Sequence, residues 1–255
     1  MLPLDEIKDF LDFKVNEFNK PEFIELDPIS IPHRFSLKED IEISAFLTAT
    51  ISWGNRKAIL GAADQMMQLM GESPYDFIMD CNDFDREKIT DFYYRTFNGT
   101  DFDYFLSALK NIYLHKGGLE NVFNELTNEF TVQESISNFK KIFFELPHQT
   151  RTEKHVSDPI NGSAGKRINM MLRWLIRNDK NGVDFGIWNK ISPSKLSIPL
   201  DIHSGNTARK LGLLKRKQND AKAVTELDLV LRTFDGIDPV KYDFALFGLG
   251  VIEGF

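Results

Sequence analysis

The chain has 255 residues, 42% of them hydrophobic and 27% charged, and a net charge of -7. That length suits one large domain or two closely packed lobes, and the composition excludes wholesale disorder. No apolar run could span a bilayer, and Asp5, Glu6 and Asp9 stand where a signal peptide would be basic, so a cytoplasmic protein without membrane contact is expected. Cys81 is the single cysteine, which excludes an internal disulfide and any four-thiolate iron–sulfur cluster.

Residues 4–19 space Leu4, Ile7, Phe10, Leu11, Val15 and Phe18 as a helix would. Asp27-Pro28 and Ile31-Pro32 predict an extended connector. A helix follows over 38–51 and stops at Ser52-Trp53-Gly54-Asn55, where Gly54 can take positive φ. Arg56–Met70 is predicted as the next helix, closed by Gly71. Ser73-Pro74 starts a short helix, and 83–92 forms another. Asp101 is the expected N-cap for a helix over 102–115, which Gly117-Gly118 closes. Leu119–Phe130 and Thr131–Glu145 complete this series.

Residues 147–165 interrupt the rhythm with Pro147, Asp158-Pro159 and Gly162. Helical spacing returns over 166–178, breaks over 179–198, and resumes over 202–212, 220–234 and 239–249. No alternation long enough for a sheet and no internal repeat is present, so the fold class is all-α, with about ten to twelve helices.

The acidic balance at first disfavours nucleic acid as a partner, but the charge is unevenly spread. Residues 1–50 hold eleven acidic side chains against five basic ones, a balance of -6. Residues 151–180 hold seven basic against three acidic, and residues 201–222 six against two, +4 in each case. A basic region in an acidic protein can still neutralise phosphates.

That basic region contains Gly162-Ser-Ala-Gly-Lys166 and Ile198-Pro-Leu-Asp201-Ile-His203, each opening a helix. The first is no Walker loop, since Ile160 stands where its first glycine belongs and Arg167 where its Ser/Thr belongs. Asp179-Lys-Asn-Gly182 lacks calcium-loop spacing, and the five histidines lack zinc spacing, so no metal and no cofactor is expected. No G-x-S-x-G elbow is present.

Lys166 falls in a first helical turn, whose partial positive charge favours the neutral, nucleophilic amine. Asp201 as an N-cap would be held rigidly in its charged form and could steady a developing cation or move a proton. His203, just beyond it, is a possible support. On the residues alone, both starts read first as ordinary helix ends: a solvated lysine and a capping aspartate.

The pair resembles that of the helix-hairpin-helix DNA glycosylases. Bifunctional members of that superfamily carry a G-x-G-x-K hairpin, an apolar helix, then a V-D-x-H segment opening the next helix. Gly162-Ser-Ala-Gly-Lys166 corresponds to the hairpin and Pro199-Leu-Asp201-Ile-His203 to the aspartate segment. Ala164 stands where the hairpin usually has its second glycine, and Gly165 is displaced next to the lysine. Asn206–Leu213 resembles the helix ending in R-L-G-L, Ser52–Arg56 the S-Q-x-T turn, and Asp238–Gly250 the closing helix. The 8-oxoguanine glycosylase/lyases are the subgroup most similar to it. The chain is also similar to a bacterial family without an assigned activity.

The resemblance implies a two-lobed helical fold, with a central lobe over 38–146 and a second lobe of 1–37 with 147–255 carrying the hairpin. It implies a DNA base-excision repair glycosylase with AP-lyase activity on damaged duplex DNA, an oxidised purine being the candidate lesion. Lys166 would attack the sugar C1′, with Asp201 assisting. The target nucleotide would be flipped out, and Trp53 or Asn55, beside Arg56, would fill the vacated stack. The hairpin, Gly162, Ser163, Ala164 and Gly165, with Arg167, would bind a backbone phosphate through its amides. Two other readings stay open: a non-catalytic helix-hairpin-helix nucleic-acid binder, and a helical protein with an unrelated small-molecule or interaction role.

Overall fold

A computed structural model describes residues 3–255, apart from the side chain of Leu26. The protein is all-α, with one hairpin of two two-residue strands among the described residues.

Helix α1 is Leu4–Phe18, and it buries Ile7, Leu11, Val15 and Phe18, spaced by one helical turn each. The connector expected after it is not extended throughout. Pro21–Leu26, Pro28–Ser30 and Pro32–Arg34 are 3-10 turns. Asp27 itself is extended, and its carboxylate accepts the Ile29 amide at 3.1 Å. Each proline then opens a turn because its fixed φ suits a first helical position.

Helices α2 (Lys38–Ile51), α3 (Arg56–Leu69), α4 (Pro74–Asp80) and α5 (Asp83–Ile89) follow. Helix α2 is buried on all sides from Ile41 to Ile51, which explains its weak amphipathic pattern. Strands β1 (Tyr93–Tyr94) and β2 (Phe97–Asn98) pair antiparallel. They were not legible as alternation because each is only two residues long.

Helix α6 is Gly99–His115, three residues longer at its start than expected. Its N-cap is Asn98, not Asp101. The Asn98 side chain accepts the Asp101 amide at 3.1 Å, and the Asp101 carboxylate accepts the Asn98 amide at 3.1 Å. Asp101 is thus the third residue of a capping box. Helices α7 (Gly118–Glu129) and α8 (Val132–Phe143) complete this stretch.

After a 3-10 turn at Thr150–His155 come α9 (Lys166–Ile176), α10 (Ile202–Lys210), α11 (Ala221–Phe234) and α12 (Tyr242–Val251). Pro239–Lys241 makes a 3-10 turn ahead of α12. Part of the irregular connector over 179–198 packs along the end of α9. The Phe185 amide donates to the Trp174 carbonyl at 2.7 Å and the Trp188 amide to Leu175 at 2.9 Å. These carbonyls have no partner within the helix, so the connector completes its C-terminus. Val183, Trp188, Ile191, Leu196 and Ile198 are buried as a result.

The chain forms two compact units. The first comprises Met1–Glu25, Phe130–Ser137 and Ser157–Phe255, and the second Leu26–Glu129 and Asn138–Val156. The boundaries therefore fall after Glu25, Glu129, Ser137 (within α8) and Val156, where the sequence placed them after 37 and 146.

The second unit has an aromatic core. Phe46, Phe105, Phe139 and Phe143 pack ring against ring at 4.7–5.7 Å. The first unit packs α12 against α1 and α10. Gly248 and Gly250 permit this approach. A Cβ on Gly248 would lie 2.3 Å from the Phe18 ring, and one on Gly250 would lie 2.9 Å from Thr207 Oγ1. The start of α10 is thereby seated close to α12.

Candidate active site

The loop ahead of α9 is built on Asp158. Its carboxylate accepts the Ser137 hydroxyl at 2.8 Å, and that hydroxyl in turn accepts the Ile160 amide at 3.0 Å. The Asp158 carbonyl accepts the Ser163 amide at 3.1 Å, and the Pro159 carbonyl accepts the Gly162 amide at 2.9 Å. Gly162 has φ 95° and Gly165 φ 64°, conformations that favour glycine at both turns. The displaced Gly165 is therefore the residue that reverses the chain into α9. Asn169, buried one turn later, donates to the Ala164 carbonyl at 3.2 Å and accepts from Gln133 at 3.3 Å.

These bonds alter one expectation. The amides of Gly162 and Ser163 point into the turn, and the Gly165 amide donates to Ser163 Oγ at 3.2 Å. Those three are engaged and not presented to a phosphate. Helix α9, however, has no side-chain N-cap. The first turn at a helix start of this kind carries a partial positive charge. Arg167 lies in that turn, half-buried, and burial holds its guanidinium down at about 10.

Lys166 is the first residue of α9, one-third exposed, with Nζ 3.8 Å from Asp201 Oδ2. This distance is an ion-pair contact, longer than a hydrogen bond. Asp201 is the N-cap of α10 in a reciprocal capping box. Its Oδ1 accepts the Ser204 amide at 2.9 Å and the Ser204 hydroxyl at 3.1 Å, while its own amide donates to Ser204 Oγ at 3.0 Å. One carboxylate oxygen is thus fixed by the helix start, and the other faces the lysine. Residues 35 positions apart in the chain are brought together.

A third charged group at this site was not read from the sequence. Asp243, buried on α12, bonds Arg173 of α9. Burial pushes its carboxyl up, and the charge of Asp201 adds to this, while Arg173 and Lys166 pull it down; the balance is about 7. Asp243 therefore senses both members of the lysine–aspartate pair. Arg173 also donates to Asp184 at 3.2 Å, and Arg177 bonds Asp179, Asp184 and Asp238 at 2.6–3.1 Å. Both guanidiniums lie over the Phe244 ring, at 4.3 and 5.3 Å. The available signal was one carboxylate inside the apolar run Tyr242-Asp-Phe-Ala-Leu-Phe, since a charge on a buried helix face requires a partner.

His203 is exposed, with its ring edge-on to Phe247 at 6.3 Å, and bonds neither Lys166 nor Asp201 among the described residues. Trp53, Asn55 and Arg56 belong to the second unit. The Trp53 ring stacks on His155 at 6.1 Å and 28°, and its carbonyl accepts Tyr94 Oη at 2.7 Å. Asn55 is the N-cap of α3, accepting the Ala58 amide at 3.3 Å, and Arg56 is that helix's first residue. Gly54 has φ 104°, and a Cβ there would lie 2.2 Å from the Arg95 guanidinium.

Among the described residues no cluster of His, Cys, Asp and Glu could hold a metal ion, and no helix is long and apolar enough to cross a membrane. Residues 27–252 match the DUF2400 family model, described as a protein of unknown function, and the chain belongs to that family. No curated protein and no solved structure matches it.

Proposed function

We propose that this protein is a DNA glycosylase with AP-lyase activity, in which Lys166 is the nucleophile and Asp201 its assisting carboxylate. The observation that carries the reading is the 3.8 Å approach of Lys166 Nζ to Asp201 Oδ2. An amine beside a fixed carboxylate at a helix start is suited to covalent attack on an electron-poor carbon.

The neutral amine attacks C1′ of the target nucleotide. The C1′–N bond breaks, and the base leaves with the electron pair and takes up a proton. Asp201 Oδ2 accepts a proton from the attacking nitrogen and stabilises the cationic sugar. Asp201 returns that proton to O4′ as the C1′–O4′ bond opens, which leaves an iminium between lysine and sugar. Loss of a C2′ proton and departure of the 3′ phosphate complete β-elimination. An oxidised purine in duplex DNA is the substrate class that the resemblance favours.

The backbone contacts proposed for such a substrate fall on the first turn of α9 and on Arg167. That turn lacks a side-chain cap, and a phosphate there would meet the partial positive charge of the helix start beside Arg167. The +4 balances of residues 151–180 and 201–222 support the same partner.

Borohydride trapping on duplex DNA carrying an abasic site or an oxidised purine tests the reading. Wild-type protein is expected to give a covalent adduct, and Lys166→Gln none. An adduct that persists in Lys166→Gln sinks the assignment of the nucleophile. Salt-dependent binding with no adduct from wild type selects a non-catalytic nucleic-acid binder instead.

A further inference from the structure

Residues 211–220 link α10 to α11 and include the polar run Lys215-Arg-Lys-Gln-Asn-Asp220. In the first unit this strap touches Asp201 and the hairpin ahead of Lys166. At its end, Asp220 pairs antiparallel with Ser163, and the adjoining Ala221 amide donates to the Gly162 carbonyl at 3.1 Å. The strap is thus tied to the hairpin that carries Lys166.

One residue earlier, Asn219 reaches Asp201. Its Nδ2 donates to the Asp201 carbonyl at 2.7 Å. Its Oδ1 accepts Arg209 Nη2 at 2.6 Å. A guanidinium can only donate, so Arg209 fixes which end of the amide faces Asp201. Arg209 is itself held by the Arg216 carbonyl, 2.7 Å from its Nε.

The Asp201 carbonyl already accepts the Gly205 amide at 3.0 Å as the first bond of α10. Asn219 supplies a second donor to it. Gly205 leaves the space for this side chain, since a Cβ there would lie 2.7 Å from Asn219 Oδ1 and 3.0 Å from its Nδ2. Asp201 is therefore restrained at its amide, its carbonyl and Oδ1, and only Oδ2 is turned to the lysine.

We propose that Asn219 is a positioning residue that fixes the separation of Lys166 and Asp201. It couples the start of α10, through the Asp220–Ser163 pairing, to the hairpin in front of α9. The inference rests on the lysine–aspartate reading given above. A clamp of this kind matters because displacement of a catalytic group by about 1 Å can cost about a hundredfold in rate.

The test compares Asn219→Asp and Asn219→Ala with wild type in single-turnover adduct formation and in DNA affinity. Asn219→Asp keeps the acceptor for Arg209 but sets oxygen against the Asp201 carbonyl. Both variants are expected to slow adduct formation about tenfold or more, with Kd changed by less than about twofold. Gly205→Ala displaces Asn219 without removing it and is expected to act in the same direction, which covers the case of an Asn219 variant that does not fold. Adduct rates within twofold of wild type in the folded variants overturn the proposal.

If wild type forms no adduct, the glycosylase reading fails on its own, and a second readout decides the clamp. Lysines are reductively methylated with carbon-13 formaldehyde, and the Lys166 signal is assigned by its loss in Lys166→Gln. Asn219→Ala is expected to move that signal and its titration midpoint, and coincidence with wild type overturns the clamp.

Discussion

Asp101 and Asp201 each take part in a capping box, one in each unit, and their second oxygens have opposite fates. Asp101 has no solvent exposure, and its carboxylate is fully engaged: Arg151 Nη1 bonds both oxygens at 2.7 and 2.8 Å, Thr152 Oγ1 donates at 2.7 Å, and His155 Nε2 lies at 3.3 Å. Burial alone would raise its carboxyl, but the Thr152 hydroxyl, the Asn98 amide, His155 and Arg151 together hold it below the usual carboxylate range. Asp201 uses Oδ1 for its cap and leaves Oδ2 beside an amine at 3.8 Å. A capping box settles the backbone of a helix start; the neighbours of the remaining oxygen decide whether the group is structural or chemical.

The largest effect expected from this contrast is in Asp201→Asn. Asparagine caps a helix about as well as aspartate, so stability should change by less than about 1 kcal/mol. Adduct formation should fall roughly a hundredfold or more, because the proton acceptor beside the amine is gone. Chemical denaturation and borohydride trapping on the same preparation measure both. If instead Asp201→Asn loses stability and keeps its adduct, Asp201 is a cap alone.

Asp101→Asn should show the reverse. Removing the charge from a buried, multiply bonded carboxylate should cost about 3 kcal/mol, or roughly 6–12 °C in Tm for a chain of this size. Adduct formation per folded molecule should stay within about threefold. The difference also has a pH signature. The folded carboxyl is held low, so its stabilisation is present above the ordinary carboxylate range and is lost as pH falls through the folded value. Melting temperatures of wild type and variant should therefore converge in acid.

Asp243 gives a smaller shift with the opposite sign. Its folded carboxyl lies near 7, above the unfolded value, so its favourable contribution is present below about pH 4 and is lost as pH rises to about 7. Asp243→Asn lacks that loss. Its Tm relative to wild type should rise by about 3 °C or more between pH 5 and pH 7. A flat difference across that interval removes Asp243 from the titrating groups of the site.

The smallest effect is expected in Ser204→Ala, which deletes two of the hydroxyl's bonds at the Asp201 cap but leaves the Ser204 amide bonded to Oδ1. A loss of about 1 kcal/mol and a change of only a few-fold in adduct rate would match a helper of the cap. A hundredfold loss of adduct would move Ser204 into the chemistry.

Much of this molecule was determined by the sequence alone, because helix periodicity and caps are local. The spacing of Ile7, Leu11, Val15 and Phe18 makes α1, and Gly165 before Lys166 and Asp201 before Ile202 mark the starts of α9 and α10. Local signals failed where two of them competed. Asn98 and Asp101 are both good caps, and the close passage of Gly99 beneath the Thr90 carbonyl, 2.2 Å from where a Cβ would sit, accompanies the earlier start.

Only the tertiary structure decided the rest. The 3.8 Å meeting of Lys166 and Asp201, the Arg173 partner of Asp243 and the reach of Asn219 to the Asp201 carbonyl join residues 18 to 70 positions apart. No periodicity within one segment encodes such distances. They depend on packing between segments, as at Gly205, Gly248 and Gly250, where an absent side chain leaves room for Asn219, Phe18 and Thr207.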